Sequence, residues 1–510
     1  MADYTTISEL LKNGVDGDPA IGAPGRTPLD YAGLRALADT TVARLNELGV
    51  GRNDRVAIVL PNSPEMATAF VTIGCGATTA PLNPAYREEE FDFYLDDLNA
   101  RALVVERGSE SPALAVAKKR NIPVVTLVAD ENGPAGNFTL EGEGTGSAAA
   151  NGGPAEPDDV ALVLHTSGTT SRPKIVPLTQ RNVTASARHI GASLNLVSGD
   201  RCMNIMPLFH IHGLIAAVLS SLAAGASVHC APGFNALRVF NWLDEIEPTW
   251  YTAVPTMHQA ILARAGRNPE SLERAKNNLR LIRSSSSSLP PQVMAELEAT
   301  FDAPVVEAYG MTEAAHQMAC NPLPPASRKP GSVGIAAGPE VAIMDESEGK
   351  LLSVGETGEI VIRGPNVTPG YENNPDANAS AFTDGWFRTG DQGVMDDEGY
   401  ISITGRLKEI INRGGEKISP REVDEVLMDH PAVAQAVTFA MPHDKLGEEV
   451  AAAIVLREGQ EAEEGEVREF VAGHLADFKV PRRVLILEEI PKGATGKLQR
   501  IGLAEKLGLA

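Results

Sequence analysis

A chain of 510 residues, 43% of them apolar, is too long for one hydrophobic core and predicts a soluble globular protein of at least two domains. Its formal net charge of −23 disfavours nucleic acid and anionic membranes as partners, and it requires any polyphosphate site to be basic locally. Cys75, Cys202, Cys230 and Cys320 stand far apart with no CxxC pair, which fits a reducing cytoplasm and neither a disulfide frame nor a zinc site. Met1-Ala2-Asp3 opens without an apolar leader. The run from Gly213 to Val228 is broken by Ser220, Ser221 and Gly225 and reads as a buried helix rather than a membrane span. Gly508-Leu509-Ala510 is not a peroxisomal tripeptide, so the expected location is cytoplasmic.

In chain order, a first helix is predicted from Thr6 to Lys12 and a β-rich run from Arg55 to Leu60. Ser63 then caps a helix with Pro64 at its first position, and an apolar segment to Leu82 completes a βαβ-like unit. The pattern recurs with a strand at Ala102–Val105, a helix at Ala113–Lys119 and a strand at Val124–Val128. Alternation of this kind predicts an α/β fold of doubly wound parallel sheets. From Asp130 to Asp159 a Gly-, Ala- and Glu-rich surface excursion intervenes. The apolar run Val160–Leu164 reads as a buried strand, and a helix begins near Thr179. Further strands are expected at Trp250–Val254, Leu279–Arg283 and Val305–Tyr309, and a helix from Pro290-Pro291 to about Phe301. From Val341 to about Thr404, short strands with Gly and Pro turns suggest a β-rich subdomain. A boundary near Gly405 divides an N-terminal domain, 1–405, from a small mobile α+β domain, 406–510. Ser419-Pro420-Arg421-Glu422 reads as a capping box that opens the first helix of the second domain.

Between the strand ending at Leu164 and the helix near Thr179 lies His165-Thr166-Ser167-Gly168-Thr169-Thr170-Ser171-Arg172-Pro173-Lys174. Backbone N–H groups and hydroxyls in such a loop are donors for phosphate oxygens, and Arg172 and Lys174 add positive charge. It is not a Walker loop, because Pro173 stands where the second glycine belongs. A plain flexible connector would have a similar composition. Tyr309-Gly310-Met311-Thr312-Glu313 offers an aromatic to stack on a base and a carboxylate for a metal, or else an ordinary helix start. Asp391, at a glycine turn, is of the type that holds a ribose diol, although a lone Gly-Asp is commonly only a turn. Lys497, in a Gly/Thr tail, is by residue type a solvated charge.

The order Thr-Ser-Gly-Thr-Thr-x-x-Pro-Lys, with the motifs around Tyr309, Asp391, Gly405-Arg406-Leu407-Lys408 and Lys497, resembles the adenylate-forming superfamily over essentially the whole chain. That superfamily includes acyl-CoA synthetases, luciferases and peptide-synthetase adenylation domains. The resemblance implies ATP, Mg²⁺ and CoA as cofactors and cosubstrates. It implies nucleotide contacts from Thr166, Ser167, Gly168, Thr169, Thr170, Lys174, Glu307, Ala308, Tyr309, Gly310, Thr312, Asp391 and Arg406. It gives Glu313 to the metal, Thr312 to the α-phosphate, Lys497 to catalysis, His210 to the carboxylate as a gating histidine ahead of His212, Lys408 to the hinge, and Gly414 and Gly415 to the CoA side. No general base is needed, because a carboxylic acid is already ionised at neutral pH.

Arg413–Pro420, Arg363–Val367, Lys329–Gly334 and Glu313-Ala314-Ala315-His316 narrow the resemblance to the oxalate–CoA ligase branch of plants and fungi, which is similar to 4-coumarate–CoA ligases. The expected partners are a small carboxylic acid, with oxalate favoured, ATP and CoA, in a monomer or homodimer. The wall after Arg283 is serine-rich, where the family's aromatic and fatty-acid members have Gly and Ala. Ser286, Ser287 and His316 are therefore candidates for a second carboxylate, whose desolvation an apolar pocket would not offset. The alternatives are that the serines form a helix N-cap run and that His316, four residues after Thr312 on an expected helix, lies on the surface. Malonate, a short fatty acid, an aryl acid or transfer to a carrier protein remain open as variants of the same chemistry.

Overall fold

The computed structural model describes residues 4–143, 148–166, 173–491 and 499–509. Two large sheets carry the N-terminal part. The first, nine-stranded, runs from Ile335–Ala336 through His316–Cys320, Val305–Met311, Leu281–Ser285, Trp250–Ala253, Arg201–Asn204 and Ser227–Cys230 to Pro19–Ala23 and Arg26–Asp30. Its inner pairs are parallel, and the strands at both ends turn antiparallel. The second, seven-stranded, has the order Phe138–Glu141, Val124–Ala129, Ala102–Glu106, Arg55–Val59, Thr78–Pro81, Val160–Thr166 and Lys174–Thr179. Parallel strands joined by crossover helices bury both faces, which explains their near-continuous Val, Ile, Leu and Ala content.

Helix starts follow local chemistry in most places. Ser63 Oγ accepts from the Met66 N–H at 3.0 Å, and Thr179 Oγ1 accepts from the Asn182 N–H at 3.2 Å. Gln180–Ser193 is the expected helix, but Lys174–Thr179 before it is a strand, paired antiparallel with Val160–Thr166. The apolar run after His210 is a π-helical segment, His212–Leu219, continued by an α-turn at Ser220–Ala223. The surface excursion contains the edge strand Phe138–Glu141.

A β-rich layer follows, in which Glu340–Met344, Thr357–Arg363, Trp386–Met395 and Ile401–Arg406 pair antiparallel. Asn366 locks it to the large sheet. Its side chain is fully buried, and Nδ2 donates to the carbonyls of Ala314 at 2.8 Å and Gln317 at 3.0 Å. The last part of the chain builds its own sheet from Ile411–Arg413, Glu416–Ile418, Val433–His443, Gly447–Leu456 and Arg483–Ile486.

The capping box expected at Ser419 does not form. Ser419 makes no cap to Pro420–Asp429, and its hydroxyl donates instead to the carbonyl of Thr404. Arg421 Nη1 reaches the Ile403 carbonyl at 2.9 Å, so the first turn of this helix is spent on the preceding strand.

Asn366→Ala should lower stability by about 2–4 kcal/mol, because it strips two buried carbonyls of their donors. A fall in the urea midpoint checks this; an unmoved midpoint would show that the β-rich layer is held by other contacts.

Candidate functional site

The strand Val305–Met311 lies between Leu281–Ser285 on one side and His316–Cys320 on the other, so residues distant in sequence meet at its carboxyl end. Ligand sites in open α/β sheets form at such ends. The turn between Met311 and His316 is tight. A short 3₁₀ turn, Thr312–Ala314, is followed by Ala315 and His316 at φ 46° and 100°. A Cβ on Gly310 would stand 2.0 Å from the His316 carbonyl oxygen, so only glycine fits there.

His316 therefore begins a strand and is buried, which corrects the expected helix and removes the surface alternative. The N-cap alternative for the serines also fails. Ser284 and Ser285 belong to the strand, and the helix Pro291–Phe301 starts behind Pro290. Ser285 Oγ donates to the Ala308 carbonyl at 2.7 Å. Ser286 sits at φ 74° with Oγ 3.0 Å from His212 Nδ1. Ser287 is exposed and its hydroxyl turns to the Ser286 carbonyl at 2.9 Å, so it is not brought into this cluster.

The two histidines of Phe209-His210-Ile211-His212 divide. His212, ranked second in sequence, is the buried one. Its Nε2 lies 2.6 Å from Thr252 Oγ1, and its ring packs edge-on against His316 with centroids 5.0 Å apart. His210 is half-buried on the preceding turn, its ring against Phe209.

Thr252 in turn accepts from Arg283 Nη1 at 3.4 Å, and Arg283 Nη2 donates to Gln317 Oε1 at 3.2 Å. Sequence reading missed Thr252, Arg283 and Gln317. The available signal was one arginine inside an apolar strand, next to the serine run.

The second half of the cluster is ionic. The Tyr309 hydroxyl donates to Asp391, whose other oxygen accepts from Arg406 Nε at 2.9 Å. Asp391 and Arg406 face each other across an antiparallel pair, and the carboxylate keeps the guanidinium firmly charged. Lys174 Nζ lies 4.3 Å from the centre of the Tyr371 ring, and the Tyr371 hydroxyl donates to Glu313 Oε1 at 2.8 Å. Burial pushes the Glu313 carboxyl up, opposed by that bond and by Arg406 and Lys174. Tyr371 was not foreseen. Thr312 is half-buried at the start of the turn, and Thr166 pairs with Lys174 at the mouth of the loop.

Ser167, Gly168, Thr169, Thr170 and Arg172 of the phosphate loop, and Lys497, lie outside the described residues. Lys408 is exposed. Gly414 and Gly415, at φ 60° and 102°, make the two-residue hairpin turn between Arg413 and Glu416. Among the described residues no hydrogen bond ties these two glycines to the cluster.

Glu307, beneath the site, accepts from the Leu289 N–H at 2.9 Å and has no partner for Oε2 among the described residues. Burial raises its carboxyl to about 7, against the pull of Arg421; Glu425 adds to the rise.

A two-domain α/β enzyme with a polar, charge-balanced cluster at the carboxyl ends of parallel strands is the class that this fold and site define. The chain belongs to the AMP-binding enzyme family: that profile matches residues 14–372, and the profile of the AMP-binding enzyme C-terminal domain matches residues 422–497. It is 46% identical to an oxalate–CoA ligase of Arabidopsis thaliana, over 98% of each chain. It is 42% identical to an oxalate–CoA ligase of Saccharomyces cerevisiae, over 89% of this chain and 87% of the relative. The fold superposes on ATP-bound MatB of Rhodopseudomonas palustris with a TM-score of 0.87 and 29% identity, covering 99% of both chains. The four cysteines are free and buried, and no helix among the described residues is long and apolar enough to cross a membrane.

The raised Glu307 carboxyl gives a signed expectation. A folded-state value near 7, above the unfolded value, contributes stability at low pH that is lost as pH rises through 7. Glu307→Gln should remove that loss, worth about 1–3 kcal/mol at pH 8. Melting curves at pH 5.5 and 8 test it; equal pH slopes in variant and parent would acquit Glu307.

Proposed function

We propose that this chain joins oxalate to CoA at the expense of ATP, releasing AMP and diphosphate through an oxalyl-adenylate. The observation that carries the reading is the polar wall of Ser286, His212 and His316, built where the sheet ends. A buried second carboxylate needs such polar neighbours, and an aliphatic or aryl tail gains nothing from them. The identity to two oxalate–CoA ligases supports the same substrate.

In this reading one carboxylate of the acid attacks the α-phosphorus of ATP and diphosphate leaves. The CoA thiolate then attacks the acyl carbon and AMP leaves. Tyr309 offers a face to the adenine, with Glu307, Ala308 and Gly310 lining the same strand, and Asp391 takes the ribose hydroxyls beside Arg406. The loop from Thr166 through Ser167, Gly168, Thr169 and Thr170 to Lys174 holds the phosphates, with Thr312 at the α-phosphate. Glu313, a buried carboxylate already held by Tyr371, is a hard oxygen donor of the kind Mg²⁺ takes, and the ion would neutralise phosphate charge when bound. His210 stands at the carboxylate entrance. Lys497 stabilises the charge that develops as diphosphate departs. The C-terminal domain, 406–510, turns about Lys408 to exchange Lys497 for the Gly414-Gly415 hairpin on the CoA side. The reading places the protein in the cytoplasm, where its cysteines stay reduced.

Diphosphate release from ATP, measured with CoA and Mg²⁺ across oxalate, malonate, acetate, octanoate and 4-coumarate, tests the substrate. Oxalate should dominate; a dominant monoacid would defeat the polar-wall argument while leaving the ligase chemistry in place. Lys497→Ala should abolish adenylate formation yet leave thioester formation from supplied acyl-adenylate. Equal loss of both half-reactions would remove Lys497 from the first step.

A further inference from the structure

Arg283 has no exposed surface, and among the described residues no carboxylate lies within ion-pair distance of it. Among the described residues the titratable groups that act on it are the thiols of Cys320 and Cys202, which burial keeps protonated. Its Nε makes no hydrogen bond among the described residues. A buried cation without a counter-charge is costly, and it gives the surrounding protein a standing affinity for an anion. Burial draws the guanidinium down to about 10, which still leaves it protonated at neutral pH.

The direction of the hydrogen bonds leading away from it is constrained. Guanidinium only donates, so Thr252 Oγ1 accepts from Arg283 at 3.4 Å. The Thr252 hydroxyl hydrogen is then free to point at His212 Nε2, 2.6 Å away. With Nε2 accepting, the proton of a neutral imidazole sits on Nδ1, which donates to Ser286 Oγ at 3.0 Å. Ser286 has spent an acceptor position and keeps its own hydroxyl hydrogen for a ligand. Ser286 holds its place at φ 74°, a left-handed conformation that is strained for a non-glycine residue.

We infer that Arg283 is a positioning and specificity residue for the acid substrate: its buried charge, relayed through Thr252 and His212, turns Ser286 into an outward donor and selects an acid carrying a second carboxylate. This deepens the oxalate reading and rests on it. Gln317 fixes the other arm of the guanidinium and is itself tied to Ser193 Oγ at 3.0 Å and the Ala337 carbonyl at 3.2 Å, so the charge cannot swing away from the relay. An arginine that served packing alone would affect every acid equally. One that supplies charge and donor direction distinguishes a diacid from a monoacid of similar size.

The test compares kcat/KM for oxalate and for acetate, in diphosphate release, for the parent, Arg283→Met, Arg283→Lys, Thr252→Val and Thr252→Ser. Arg283→Met and Thr252→Val should lower the oxalate-to-acetate ratio roughly tenfold or more, chiefly through the oxalate KM. Arg283→Lys and Thr252→Ser should recover part of it. A ratio that stays at the parent value while both acids fall together overturns the inference and leaves the oxalate reading intact. A parent enzyme that does not use oxalate overturns both, and it does so before any variant is made. If Arg283→Met fails to fold, the Thr252→Val and Thr252→Ser pair decides the same question by the same ratio.

Discussion

Most of the site depends on one close approach, the His316 carbonyl oxygen over the Cα of Gly310. A side chain at Gly310 would push the return strand away and unpair His316–Cys320 from Val305–Met311. That pairing carries His316 to the ring of His212, Gln317 to the guanidinium of Arg283, and the Gln317 carbonyl to Asn366. The turn is bought with left-handed backbone at Ala315 and His316, an expense of roughly 1–3 kcal/mol for each such residue that only a well-packed surround sustains. Strain concentrated beside the candidate site, with a third instance at Ser286, indicates that side-chain placement here was kept at the cost of stability.

Electrostatically the chain works against itself. An acidic molecule of net charge −23 must attract anionic ligands, and it does so with individually placed positive charges, from the half-exposed Arg406 to the fully buried Arg283. Arg406 is held charged by Asp391, and Lys174 lies on the face of Tyr371. Arg283 has no acidic neighbour within ion-pair distance among the described residues. These are three different solutions. The first leaves a carboxylate available for hydroxyl donors, the second orients an ammonium without consuming it, and the third leaves a net charge deep in the sheet. Only the third is expensive in the absence of ligand, which is why its position one strand residue below the serine run is informative.

The sheets and the order of the motifs were legible in sequence because they rest on local signals: apolar runs, turn residues and fixed spacings. Three features were not. Glu313-Ala314-Ala315-His316 reads as a helix because alanine favours one, yet pairing with Val305–Met311 overrides that propensity. Ser419 followed by Pro420 and Glu422 reads as a cap, yet the Thr404 carbonyl across the domain boundary claims its hydroxyl. Lys174–Thr179 contains Pro177 and reads as a connector; it is a strand because it is the outermost of its sheet, where a missing N–H is tolerated. In the site, the residues carried by short motifs could be nominated from sequence. Thr252, Arg283, Gln317 and Tyr371 could not, since each acts through a partner tens to hundreds of residues away. That His212 rather than His210 is the buried histidine was likewise invisible, because it depends on Thr252 and Ser286.

The same non-local logic joins the site to the second domain. Glu307 stands on the strand that ends in Tyr309, and the charges it senses, Arg421 and Glu425, belong to the first helix beyond the boundary. Arg421 is meanwhile tied to the Ile403 carbonyl, one residue before the Thr404 carbonyl that takes Ser419. Further on, Arg500 follows the tail that contains Lys497. It bonds Asp424 at 2.7 Å and Glu409, the residue next to Lys408, at 3.3 Å. Every one of these contacts is polar, directional and few-atomed. An interface of that kind can be exchanged for an alternative set at small net cost, whereas a packed apolar one cannot. The domain rotation proposed above would be served by such an interface, and Glu307 is the buried carboxyl on the sheet side that senses it.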